Sequence, residues 1–177
     1  LQSDSKGSQG STVFAAKNPD FGAVFTYYLR DVPRTRKELR KEKEAGLFKK
    51  GERIPQPTEQ ELRDEKLEID PYLTFTITDV SGAPVRSIRK SPSKGINRVT
   101  WDLRYQSTRM VESGTYDPLS DNGSGVLAMP GRYKVSLSIT ANGETRILGE
   151  PVEFNAVILN NVTLPAKDRV AMTGFHK

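Results

Sequence analysis

Residues 73–104, LTFTITDVSGAPVRSIRKSPSKGINRVTWDLR, narrow the fold more than any other stretch of the chain. Leu73, Phe75 and Ile77 alternate with Thr74, Thr76 and Thr78. That period of two belongs to a strand with one face on a core and the other in water. Asp79-Val80-Ser81-Gly82 supplies turn residues, and residues 85–89 read as a second strand. Gly95 then closes a further loop before another alternating run, Val99-Thr100-Trp101-Asp102-Leu103. The single tryptophan falls on the apolar parity of that run, so Trp101 is expected at the centre of the core.

Other segments repeat the pattern. Tyr133 to Ile139 alternates after the turn Pro130-Gly131-Arg132, and Asn142-Gly143 is a strong hairpin signal that pairs this strand with residues 145–148. Val152, Phe154, Ala156 and Ile158 continue the alternation after Pro151. Upstream, Ala23-Val24-Phe25-Thr26-Tyr27-Tyr28-Leu29 is rich in β-branched and aromatic residues and predicts the first strand. Val24 and Tyr28 lie at the parity opposite to Phe25, Tyr27 and Leu29, so both faces of this strand are expected to be covered. Seven or so short strands with turn signals about every 8–12 residues predict a mainly β chain, an immunoglobulin-like (fibronectin-III-like) antiparallel β-sandwich. With no cysteine to bridge the sheets, packing must hold them. The expected core is Phe75, Ile77, Val99, Trp101, Tyr133, Val135, Leu137 and Phe154, each large aromatic burying roughly 150–250 Å².

A helical insertion over residues 33–70 interrupts the strands. Asp31-Val32-Pro33 can stop the first strand and start a helix, with Asp31 near the N-cap and Pro33 in the first turn. Residues 35–45 favour helix, and Gly46 is the expected stop. Thr58 and Glu61 have capping-box spacing for a second helix. Apolar residues are sparse here, chiefly Leu39, Leu47, Phe48, Leu62 and Leu67, so the insertion is expected to lie on the sheet without building the core. Between Arg34 and Arg53, nine Lys or Arg stand against four Glu, an excess that matches the net charge of +5 of the whole chain. Interspersed acids, and Phe48 as the only aromatic nearby, favour a solvated helical surface over nucleic-acid binding. Residues 1–17 are expected to be a flexible linker from a preceding domain, residues 18–159 the sandwich, and residues 160–177 the start of a C-terminal helical extension at Leu164-Pro165-Ala166-Lys167-Asp168. No apolar run approaches the ~20 residues of a membrane span.

Chemistry is hard to place on these residues. The lack of cysteine excludes thiolate metal sites and cysteine nucleophiles, and the only histidine, His176, stands next to the last residue. Asp117 and Asp121 lie in the long irregular stretch 105–129, where turn formation accounts for them, and Asp121-Asn122-Gly123-Ser124 lacks the distal glutamate of a calcium loop. Asp102 is expected on the outer face of its strand, with Arg104 available to pair with it or with the insertion's glutamates. No catalytic, cofactor-binding or metal-binding residue is therefore expected. A stretch as long as 105–129 is where a ligand could bind. Tyr105, Arg109 and Tyr116 are its candidate contacts for carbohydrate or protein, and Tyr27 and Tyr28 of the first strand, together with the charged insertion, are candidates for docking on a neighbouring domain.

Asp79-Val80-Ser81-Gly82, Val85-Arg86, Gly95, Val99-Thr100-Trp101-Asp102-Leu103-Arg104 and Pro130-Gly131-x-Tyr133, in that order, resemble the immunoglobulin-like module related to the flagellar hook-capping protein. Asn18-Pro19, Gly22-Ala23 and Tyr27-Tyr28-Leu29, joined to that set through a charged helical insert, resemble the C-terminal region of large bacterial sortilin-like (Asp-box, BNR-repeat) proteins described as glycosyl hydrolases. The resemblance covers about residues 18–158. It implies an exported parent protein, periplasmic, surface-bound or secreted, whose β-propeller precedes this region and is its partner. The propeller's Ser-x-Asp-x-Gly-x-x-Trp signature does not occur in these residues, so any glycosidase activity would lie in the propeller and the present chain would be a non-catalytic accessory domain.

Overall fold

The computed structural model describes residues 20–108, 117–120, 123–158 and 168–176. In chain order the elements are β1 (Ala23–Leu29), α1 (Arg36–Lys49), α2 (Glu59–Leu67), β2 (Tyr72–Asp79), β3 (Pro84–Lys90), β4 (Gly95–Trp101), β5 (Arg104–Gln106), β6 (Ser124–Leu127), β7 (Gly131–Ala141), β8 (Glu144–Ile147), β9 (Val152–Ala156) and α3 (Arg169–His176). The fold is mainly β, and every strand pairing is antiparallel. One sheet runs β3-β2-β7, with β8 and β9 dividing the far edge of β7 between them. A second sheet is the pair β1-β4, and a third is the short ribbon β5-β6.

The alternation read in the sequence explains the core. On β2, Leu73, Phe75 and Ile77 are buried while Thr74, Thr76 and Thr78 face outward beside Ser138, Ser136 and Lys134 of β7. From the opposite sheet Leu29 and Val99 pack on Leu73, Phe75 and Ile139, and Trp101 packs with Ile77, Val85 and Tyr133. Two packed antiparallel sheets thus share one core, an arrangement consistent with a β-sandwich. Trp101 is fully buried, with edge-on contacts to Tyr133 at 5.3 Å and Phe154 at 5.9 Å between ring centroids. Its indole Nε1 donates to the Arg104 carbonyl at 2.9 Å, so burial leaves no polar atom of the ring unpaired. Val135, Leu137 and Phe154 are half-buried around this centre.

Three expectations need correction. β1 is covered on one face only: Phe25, Tyr27 and Leu29 turn inward, whereas Val24, Thr26 and Tyr28 are exposed. The first insertion helix begins later than Asp31 and Pro33 suggest. Thr35 is its N-cap, closing a capping box with Glu38, because Thr35 is the residue with the hydroxyl three positions before a glutamate. The helix also runs through Gly46 to Lys49. A glycine weakens a helix interior by about 1 kcal/mol, which does not stop a helix whose next residues can continue it. The left-handed residue that follows the C-cap is Gly51, with φ of +71°. The second helix starts at Thr58 with Glu61 closing the box, as the spacing requires.

Neither insertion helix buries a residue, so the insertion contributes nothing to the core. Its helices hold each other through charge. Arg40 reaches Glu65 with two parallel bonds, Nε to Oε1 at 2.6 Å and NH2 to Oε2 at 2.9 Å, while NH1 bonds Glu44 at 2.6 Å. Arg36 adds an ion pair to Asp64 and a backbone bond to Glu68. At the other end of the chain, Asp168 caps α3 by accepting the Ala171 N–H at 2.8 Å. The linker read at residues 1–17 and Leu164-Pro165-Ala166-Lys167 of the extension lie outside the described residues.

Candidate functional site

The chain leaves the β1-β4 sheet at a sharp corner. After Trp101, Leu103 takes a left-handed backbone with φ of +55°, and Arg104 starts β5 beside β6. Asp102 braces this corner, one oxygen accepting the Arg104 N–H at 3.1 Å and the other the Ser124 hydroxyl. It is half-buried and structural, where the sequence suggested an outward polar residue. Arg104 turns its guanidinium to the Gly125 carbonyl at 3.0 Å. The ribbon is pinned to β3 by Arg86, which is buried and donates to the carbonyls of Gly123 at 2.6 Å and Tyr105 at 3.3 Å.

These contacts decide what the expected site residues can do. Tyr27 points inward, its ring edge-on to Phe75 at 5.1 Å, and desolvation raises the pKa of its hydroxyl. Tyr28, the next residue, is 67% exposed and stands directly opposite Ile96 of β4, which is 76% exposed. Tyr105 is half-buried, beside Trp101 and hydrogen-bonded to Tyr133. Burial pushes the Tyr133 hydroxyl up to about 12, with Tyr105 adding to the effect, and that hydroxyl donates to the Met129 carbonyl. Arg109, Tyr116 and Asp121 lie outside the described residues. Tyr27, Tyr28 and Tyr105 are therefore not brought together on one surface. Asp117 accepts the Leu119 N–H at 2.8 Å, a local turn bond.

Two surfaces emerge instead. The first is the outer face of β1-β4, where Val24, Tyr28 and Ile96 are exposed apolar residues among Thr26, Arg98 and Thr100. Ile96 was legible in principle: with Val99 and Trp101 inward, parity sends Ile96 outward. The second is a cleft of about 370 Å³ between β3 and residues 119–120, lined by Ser87, Ile88, Arg89, Lys90 and Gln106 along its length. Arg89 is fixed there by stacking its guanidinium 5.5 Å from the Tyr72 ring centre and donating to the Pro118 carbonyl at 3.3 Å.

Among the described residues no three His, Cys, Asp or Glu side chains gather as a metal site would require. No helix among them is long and apolar enough to cross a membrane. No known family model, curated protein or solved structure matches the chain.

Proposed function

We propose that this chain is a non-catalytic accessory domain, an immunoglobulin-like (fibronectin-III-like) β-sandwich of an exported multidomain protein, which docks through the outer face of β1-β4 on the β-propeller of the same protein. The observation that carries the reading is the paired exposure of Tyr28 and Ile96, with Val24 beside them, on a sheet of two strands. Magnitudes favour a tethered partner. Burying a large apolar side chain is worth about 1.5–3 kcal/mol, so three partly exposed ones supply only a few kcal/mol. Free association costs an estimated 4–15 kcal/mol, which such a face cannot meet alone. Within one polypeptide the effective concentration of the neighbour is millimolar, and a weak face is then enough. The turn bond of Asp117 and the brace made by Asp102 support a structural use of those carboxylates.

The absence of cysteine provides a clean test. An Ile96→Cys thiol should react with a maleimide at the rate of an open thiol in the isolated chain and at least about tenfold more slowly in the parent protein, as a covered face requires. Equal rates in the two would refute the docking.

A further inference from the structure

The two sheets of the sandwich are unequal. The β3-β2-β7 sheet with its β8 and β9 edge spreads wider than the pair β1-β4 that covers it. β4 lies toward β2 and β3, with Val99 among Leu73 and Phe75 and Trp101 against Val85. β1 lies toward β9, its Phe25 ring edge-on to Phe154 at 5.2 Å. The edge of β1 that faces away from β4 pairs with no described strand, so alternate peptide groups along it stand open.

Beneath that edge the core is left uncovered. Val152 stands opposite Val135 and two residues before Phe154, which puts it on the inner face of its sheet, yet it is 63% exposed. Val135 and Leu137 share that inner face, as does Leu148, whose N–H donates to the Leu137 carbonyl. All three are only half-buried, although β7 has strands on both of its edges. Tyr133 and Ile139, before and after them on β7, are buried, so the gap lies over the middle of the strand. Phe25 and Tyr27 border it from β1 and are half-buried as well.

One more strand beside β1 would close this gap, and the chain itself supplies a suitable one. It enters β1 through Asn18-Pro19-Asp20-Phe21-Gly22, residues that favour a turn. Before that turn, Thr12-Val13-Phe14-Ala15-Ala16 is uncharged, and its Thr, Val and Phe favour strands. Extended, these residues reach about 17 Å, most of the length of β1. Consecutive strands are usually neighbours, and a segment of the same polypeptide meets the edge at millimolar effective concentration, ahead of a strand from another molecule.

We propose that residues 12–16 add antiparallel to the free edge of β1, making β1-β4 a three-stranded sheet, with Phe14 inserted over Val135, Leu137 and Val152. Alternation then turns Val13 and Ala15 outward. The gap lies on the other side of β1 from Tyr28, so it is filled whether or not a neighbour docks on the outer face.

The test uses the 177-residue chain, which has no cysteine, with Val152→Cys as a reporter of the gap. Its thiol should react with a maleimide at least about tenfold more slowly than an open thiol, as a covered position requires. Adding Phe14→Asp should restore the open rate with Trp101 fluorescence unchanged, whereas adding Val13→Asp should leave the thiol slow. In the unsubstituted chain, amide hydrogen exchange read by NMR should show residues 12–16 and alternate residues of β1 protected together, with no change on dilution. A thiol that labels at the open rate without Phe14→Asp, or amides of residues 12–16 that exchange at their intrinsic rate, would overturn the proposal. So would protection that is lost on dilution, which assigns the edge to a second copy of the chain.

Discussion

Replacing Trp101 by alanine tests the core and the corner at once. The side chain is fully buried, touches Tyr133 and Phe154 edge-on, and donates its indole N–H to the Arg104 carbonyl. A tryptophan of roughly 200 Å² at ~25 cal/mol per Å² gives about 5 kcal/mol of transfer free energy. Partial collapse of the site moderates this, and measured losses for such truncations run about 3–5 kcal/mol. The Arg104 carbonyl loses its partner as well, which costs about 1 kcal/mol more unless water reaches it. With a urea slope of about 2 kcal/mol per molar, a loss of ~4 kcal/mol lowers the midpoint by ~2 M. Trp101→Phe separates the two contributions, since it keeps a ring in the cluster and removes only the donor and some volume. Its midpoint should fall by less than half as much. If Trp101→Ala leaves the urea midpoint unchanged at an unchanged slope, the placement of this residue at the centre is wrong.

The pKa shifts yield two pH predictions of opposite sign. Tyr133 has its folded pKa raised to about 12, and Tyr27 is raised too, so the fold favours their neutral forms. That stability is complete below the ordinary tyrosine value of ~10 and is lost as pH climbs towards the folded value. The melting temperature should therefore fall between about pH 10 and 12, and less steeply in Tyr133→Phe. In the insertion, the hydrogen bond from Arg40 holds Glu65 below its ordinary value, so its contribution is present above about pH 4.5 and disappears as pH drops through the lowered value. The protection factors of the α1 and α2 amides, taken against the intrinsic exchange rate at each pH, should then fall in acid while Trp101 fluorescence stays constant, because no insertion side chain is buried. With Arg34, Arg36 and Arg40 already paired to Glu42, Asp64, Glu44 and Glu65, nucleic acid should bind no better than micromolar at ~0.15 M salt. Tight, sequence-dependent binding in a filter assay would contradict the reading of this surface.

Parity carried most of what could be read from sequence. Strands β2, β4 and β7 each declare an inner face by simple alternation, and the capping box at Thr58 places the start of α2 within one residue. Parity does not say which strand pairs with which. β4 follows β3 in the chain yet crosses to pair with β1, some seventy residues away, with Tyr28 opposite Ile96 and Ala23 opposite Trp101. It also fails where the backbone breaks the period. The register of β2 against β3 shifts between Ile77 and Thr78, with Arg86 opposite Ile77 and Pro84 opposite Thr78. The extra residue lets both Val85 and Arg86 be buried in succession, a placement no alternation rule would give to an arginine. Alternation therefore gives no sign of Arg86, the residue that fixes the ribbon to β3.

The corner after Trp101 links these parts physically. Gly22 lies so close that a Cβ there would meet the Trp101 carbonyl oxygen at 1.9 Å, and its φ of +134° excludes most other residues. β1 can thus reach the end of β4 only because position 22 has no side chain. Across the corner, the Ala128 N–H donates to the Leu103 carbonyl at 2.7 Å, tying the exit of β6 to the left-handed residue. Trp101 spans the turn from inside through its bond to Arg104, and Asp102 spans it from outside through Ser124. The core and the base of the 105–129 stretch are therefore one mechanical unit. A perturbation at Trp101 should reach Arg86 and the wall of the β3 cleft, whereas one at Arg40 should act first on the contact between α1 and α2, which it bridges through Glu65.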